Sequence, residues 1–173
     1  MAENISSNKI FTMKTNQQEE VVKELVFLLD KGNAHMPFDE AIANLSSELR
    51  TKTPKDLPYN IWQLTEHIRI TQWDIVEFCI SANHQSPKWP DEYWPEKKGE
   101  VTDALWNKTV KQIKEDKKRL IDLLKSPDAD LFTPFPYGDG QNLLREAMLV
   151  ADHTSYHTGE IVVVRRLLND WHS

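Results

Sequence analysis

The chain has 173 residues and a mass of 20.2 kDa, the size of one ordinary domain. It carries 21 basic against 27 acidic side chains, a formal net charge of −6, without the basic excess or basic stripe of a fold that grips nucleic acid by its phosphates. Mean hydropathy is −0.59, and no apolar run approaches the roughly 20 residues that span a bilayer, so neither nucleic acid nor a membrane is an expected partner. The first dozen residues lack the apolar stretch of a secretory leader. The single cysteine, Cys79, allows no internal disulfide and no cysteine zinc cluster. Both features fit a reducing cytoplasm.

Residues 1–15 are polar and read as a flexible tail, which leaves 16–173 as one domain. From Asn16 the pattern turns helical, with Val21, Val22, Leu25, Leu28 and Leu29 at 3–4 residue spacing and Gly32-Asn33 as a C-cap. Met36–Leu49 reads as a short amphipathic helix opened by Pro37, and Thr51–Pro58 as turn chemistry. Asn60 is an N-cap for a second long helix reaching about Ala82. The stretch His84–Glu100 is broken by prolines yet rich in aromatics, including Trp89, Tyr93 and Trp94. A third long helix starts after Thr102 and runs through Leu124. A loop over Ser126–Gly140 follows, then the longest helix, about Gln141–Asn169.

No strand-like alternation of any length interrupts this pattern, so the expected class is all-α, an antiparallel four-helix bundle. The connection between the second and third long helices is far longer than the roughly 2–8 residues that join bundle neighbours. At about 3.3 Å per residue it can run the full height of the bundle. That permits an up-down-down-up order with a long crossover between helices two and three.

The six histidines are not alike. His84 in a loop and His172 near the C-terminus read as solvated, and His35 before Pro37 either lines an opening or is an ordinary polar turn residue. His153 and His157 differ: four apart, they share the helix face of Val150, Ile161, Val164 and Leu168, which points at the core. A buried polar ring without a partner costs several kcal/mol, and imidazoles at i and i+4 can reach one ion at about 2.0–2.1 Å. His67 lies beside the Leu64–Ile68 stripe, roughly 10 Å down its helix from Asn60. If the second and last helices are antiparallel, His67, His153 and His157 fall at similar depth. Three imidazoles leave coordination positions open, the layout of a reactive rather than a structural site.

Cys79 is about 18 Å further along the helix than His67 and reads as a small core residue. Gln63, Asp152 and Glu160 are near enough in sequence to orient a ligand, and Glu160 to accept a proton, although solvation explains each equally well. Trp62, Trp89 and Trp94 are candidates for an apolar pocket wall or for ordinary packing.

These residues carry a resemblance. Asp152-His153-Thr154-Ser155-Tyr156-His157-Thr158-Gly159-Glu160-Ile161, running on to Arg165-Arg166-Leu167-Leu168, resembles the last helix of the DinB-like family. Ile61-Trp62-Gln63-Leu64-Thr65-Glu66-His67 resembles its second helix. His35-Met36-Pro37-Phe38-Asp39-Glu40-Ala41, the Trp94-Pro95 loop and the Phe135-Pro136-Tyr137-Gly138 loop resemble one branch of it, so that the likeness covers nearly everything from Asn16 on. The resemblance implies an up-down-down-up bundle that binds a divalent metal, zinc or nickel, through His67, His153 and His157, and a homodimer. Some relatives are thiol-dependent S-transferases or isomerases that use a low-molecular-weight thiol such as mycothiol, bacillithiol or glutathione. Membership by itself delivers no reaction.

Three readings follow. The chain is a metal-dependent enzyme that transfers a small thiol to an electrophilic small-molecule substrate, with hydrolysis as a variant. Or it is a non-catalytic metal-binding or stress-related interaction protein. Or its histidines are core polar groups satisfied by hydrogen bonds alone. Arg69, Arg165 and Arg166 are the candidate counter-charges for an anionic thiol, or members of surface ion pairs.

Overall fold

In the computed structural model, residues 2–96 and 100–171 are described, with side chains from residue 17 onward. Among them the regular elements are all helical: α1 (Ala2–Lys31), α2 (Phe38–Ala41), α3 (Ile61–Ile80), α4 (Asp103–Leu124) and α5 (Leu143–Leu167), with 3₁₀ turns at Ser47–Leu49 and Asp91–Tyr93. The all-α expectation holds. The helical backbone begins at Ala2 rather than Asn16. His172 lies outside the described residues.

Each long helix after α1 starts on a side-chain cap. Asn60 accepts from the Gln63 amide, Thr102 from Leu105 and Asn142 from Arg145, each satisfying one otherwise unpaired N–H. At the end of α1, Gly32 and Asn33 take positive φ values of 69° and 52° and turn the chain out of the helix. The amphipathic stretch Met36–Leu49 departs from expectation. It holds only the one-turn α2 and a 3₁₀ turn, because Asn44 adopts a positive φ of 56°. In addition, the carbonyls of Ala41 and Ala43 are taken by the distant guanidinium of Arg165, at 2.8 and 2.9 Å.

Cross-helix contacts fix the relative directions of the helices. Thr109 bonds Glu66, Gln72 donates to the Ile113 carbonyl, and Arg119 pairs with Glu77, so residue numbers rise together and α3 and α4 run in one sense. Tyr59, before α3, bonds Glu160 late in α5, whereas Tyr137, before α5, donates to Phe78 late in α3. Those two helices therefore run oppositely. Gln18 reaches Ala129 and Asp30 reaches Lys117, so α1 opposes α4. The core repeats this order in two clusters. One joins Ile61, Trp62, Leu64 and Ile68 to Trp106, Ile113, Ile161 and Val164, and the other joins Ile75 and Val76 to Leu120, Leu124, Leu143 and Ala147.

Candidate metal centre

His67 sits in the second turn of α3 at 2 % exposure, and His157 on α5 at 6 %. His153, one turn earlier on α5, is partly buried. Because α3 and α5 run oppositely, the three rings meet. His153 Nε2 lies 3.0 Å from His67 Nε2 and 3.1 Å from His157 Nε2, and the three ligand atoms lie within 4.8 Å of one another. Two ligand bonds of about 2.0–2.1 Å at 90–110° would hold their nitrogens roughly 2.8–3.4 Å apart. The close pairs have that spacing.

Hydrogen bonds on the outer nitrogens decide what the inner ones offer. His67 Nδ1–H donates to the Tyr93 carbonyl at 2.9 Å, and His157 Nδ1–H donates to Glu160 Oε2 at 2.7 Å. Neither acceptor can donate, so in the neutral rings both Nε2 atoms present lone pairs. Burial, with the neighbouring His157 and His67 adding to it, holds His153 down at about 3, so His153 is neutral near pH 7. Burial likewise lowers His67. A neutral His153 has at most one hydrogen on Nε2 and can satisfy only one neighbour. The other contact would remain two facing lone pairs, whereas a cation satisfies all three, with the Tyr93 carbonyl and Glu160 orienting the ligands. The donor set fits a divalent metal.

Aromatic residues finish the centre. The Trp94 indole stacks on His67 with centroids 3.9 Å apart and planes 8° from parallel, and Tyr156 meets His157 edge-on at 4.9 Å. Beside His157, a surface pocket is lined by Pro58, Tyr59, Gln63, Trp94, Tyr156 and Glu160. Among the described residues its lining holds aromatic faces and one carboxylate, but no lysine or arginine. Glu160 uses its second oxygen to accept from Tyr59 at 2.7 Å. The phenol is raised to about 12 by burial and by that carboxylate, so Tyr59 stays a donor.

Other sequence expectations sort differently. Of the three tryptophans, Trp94 forms the wall, Trp62 is core at 2 % exposure, and Trp89 is exposed against Tyr93. Gln63 reaches the Pro95 carbonyl and so ties down the loop that carries Trp94, while Asp152 is exposed. Cys79 packs against the second core cluster, where burial pushes its thiol up to about 12. His35 donates through Nδ1 to the Met36 carbonyl and accepts from the Ser155 hydroxyl, lining a separate pocket between α1, α4 and α5. His84 is not solvated: its ring donates to Asp74 at 2.6 Å and meets Trp73 edge-on. Arg69 pairs with Glu66, Arg165 is buried, and Arg166 is exposed. The Tyr93 carbonyl had no signal in the sequence, since any residue at that position would supply one.

Compared with known proteins, a sequence model described as the DinB superfamily matches residues 33–161. No curated protein and no solved structure gives a significant match.

Proposed function

The chain belongs to the DinB superfamily, a metal-binding family, and from that premise we propose that it is a divalent-metal-dependent enzyme that joins a small thiol to an electrophile. The observation that carries this reading is the convergence of three imidazole nitrogens beside an aromatic pocket. We take the four long helices as an up-down-down-up bundle. The shared sense of α3 and α4 supports it, as does the opposed sense of α3 and α5.

His67, His153 and His157 would hold the ion, zinc or nickel. Once bound, it would supply Lewis acidity and favour a thiolate, the nucleophilic form, over the thiol. Glu160 and the Tyr93 carbonyl hold the ligand tautomers. Tyr59, Trp94 and Tyr156 offer an apolar wall that orients an electrophile and limits water. With no cation among the described lining residues, the pocket suits thiols of low net charge.

The test is conjugation of 2-mercaptoethanol, cysteamine and mercaptosuccinate to 1-chloro-2,4-dinitrobenzene by zinc- or nickel-loaded protein. The loaded wild type is expected to exceed His153→Ala at least tenfold, with mercaptosuccinate the slowest thiol. Equal rates for the two proteins would sink the proposal. A second reading, a non-catalytic metal staple between α3 and α5, draws on the depth of His67 and His157 in the core. It requires metal uptake without turnover in the same assay.

A homodimer is proposed through the outer face of α5, where Met148, Tyr156, Val163 and Leu167 are each exposed. Sedimentation is expected to show a dimer that Val163→Lys with Leu167→Lys converts to monomer. A monomeric wild type at micromolar concentration would rule it out.

A further inference from the structure

We infer that Asp74 is a positioning residue for the metal centre, acting on His67 through Tyr93 without touching any histidine ligand. The inference rests on the metal-binding reading above. Its basis is a continuous set of contacts between α3 and the long segment that follows it.

Asp74 lies seven residues after His67, two helical turns or about 10 Å along the same face of α3. It is 8 % exposed, yet among the described residues no lysine or arginine bonds it. Its carboxylate is satisfied instead by the strap that crosses this face. His84 Nε2–H donates to Oδ1 at 2.6 Å, and the Tyr93 hydroxyl donates to Oδ2 at 2.5 Å. One side chain thus ties two points of the strap, nine positions apart, to the helix that bears His67. Burial and the adjacent carboxylate hold the Tyr93 phenol above its ordinary range, so it remains a donor.

Tyr93 joins this clamp to the ligand. Its side chain ends on Asp74, while its backbone carbonyl accepts the Nδ1–H of His67 at 2.9 Å. The next residue, Trp94, lays its indole flat on the same imidazole. Tautomer and ring plane of His67 are therefore both set by two consecutive strap residues, and the strap's height on α3 is set by Asp74. Removing the Asp74–Tyr93 bond frees the carbonyl to drift, and His67 loses the acceptor that keeps its Nε2 lone pair on the ion. Outer partners of metal-bound histidines typically contribute 10–100-fold in affinity.

The experiment compares wild type, Asp74→Asn, Tyr93→Phe and the double variant, each checked for helical content by circular dichroism. Tyr93→Phe is the mild change, because it keeps the ring and the carbonyl. Cobalt(II) titration is expected to show about a tenfold loss of affinity in each single variant, with an altered visible absorption band. The double variant is expected to fall no further than the weaker single, since the Asp74–Tyr93 bond is the link to His67 that both changes remove. In metal-free protein, long-range ¹H–¹⁵N spectra should place the His67 proton on Nδ1 in wild type and on a mixture of both nitrogens in the variants. Variants with lower melting temperatures but wild-type cobalt affinity and an unchanged His67 tautomer would overturn the inference and leave Asp74 as a loop clamp. If the wild type binds no cobalt, the metal reading fails first, and the tautomer spectra alone decide the inference.

Discussion

Purified without chelator, the protein is expected to carry close to one equivalent of a single divalent metal, and His67→Ala, His153→Ala and His157→Ala are each expected to lose it. The effect is large because the three imidazoles are the whole cluster of candidate ligands among the described residues. Two rings remaining on one helix, or one on each, cannot reproduce a site that bridges α3 and α5. The loss should exceed the roughly 10–100-fold that removal of an orienting partner costs, the range expected for Glu160→Gln. Metal at a hundred times its dissociation constant adds about 2.7 kcal/mol to stability. For a domain of this size that raises the melting temperature by roughly 5–10 °C. The rise should vanish in the histidine variants. Elemental analysis and melting curves with and without EDTA check both statements. A wild type that takes up no metal after incubation with zinc and nickel would leave the three rings as core polar groups.

The second large effect falls on Arg165. The residue is 5 % exposed, and its guanidinium ties three places together: the Ala41 and Ala43 carbonyls, the Asp170 carboxylate at 2.7 Å, and the Trp171 ring 4.9 Å away. Arg165→Ala strands two carbonyls and a carboxylate, and breaking a buried pair from one side costs on the order of 3–5 kcal/mol. Urea unfolding should report that loss, which is a large share of the 5–15 kcal/mol that holds a typical domain folded. The folded fraction should still bind one metal and, in the conjugation assay, show an unchanged KM for mercaptosuccinate. A raised KM at unchanged stability would instead make Arg165 a counter-ion for the thiol.

That contrast between Arg165 and the histidines shows which features were legible from local pattern. Residues 153 and 157 announce themselves because a helix repeats every 3.6 residues, so any side chain on the Val150–Ile161–Val164 face must point inward. Asn60 and Thr102 announce helix starts because a capping oxygen acts on an amide three residues away. Arg165 is only one step off the same face, and nothing in its neighbours tells a buried clamp from a surface charge. His84 misleads for a related reason. A histidine among loop residues is ordinarily wet, and only the folded strap brings it onto Asp74. Met36–Leu49 has helical periodicity, yet two of its carbonyls bond a guanidinium more than 120 positions away.

The sequence by itself determined the all-α class, the Asn60 cap, the approximate spans of the three long helices after residue 60, and three histidines that share one depth once α3 and α5 are antiparallel. These depend on interactions within a few residues along the chain, which periodicity and side-chain chemistry encode directly. Tertiary structure alone decided that Trp94 rather than Trp62 or Trp89 covers the centre, that the Tyr93 carbonyl and Glu160 hold the ligand rings, and that Asp74 and Arg165 are anchors. Each of those depends on where a remote segment crosses a helix. Backbone carbonyls, present at every residue, carry no mark of which one a distant side chain will meet.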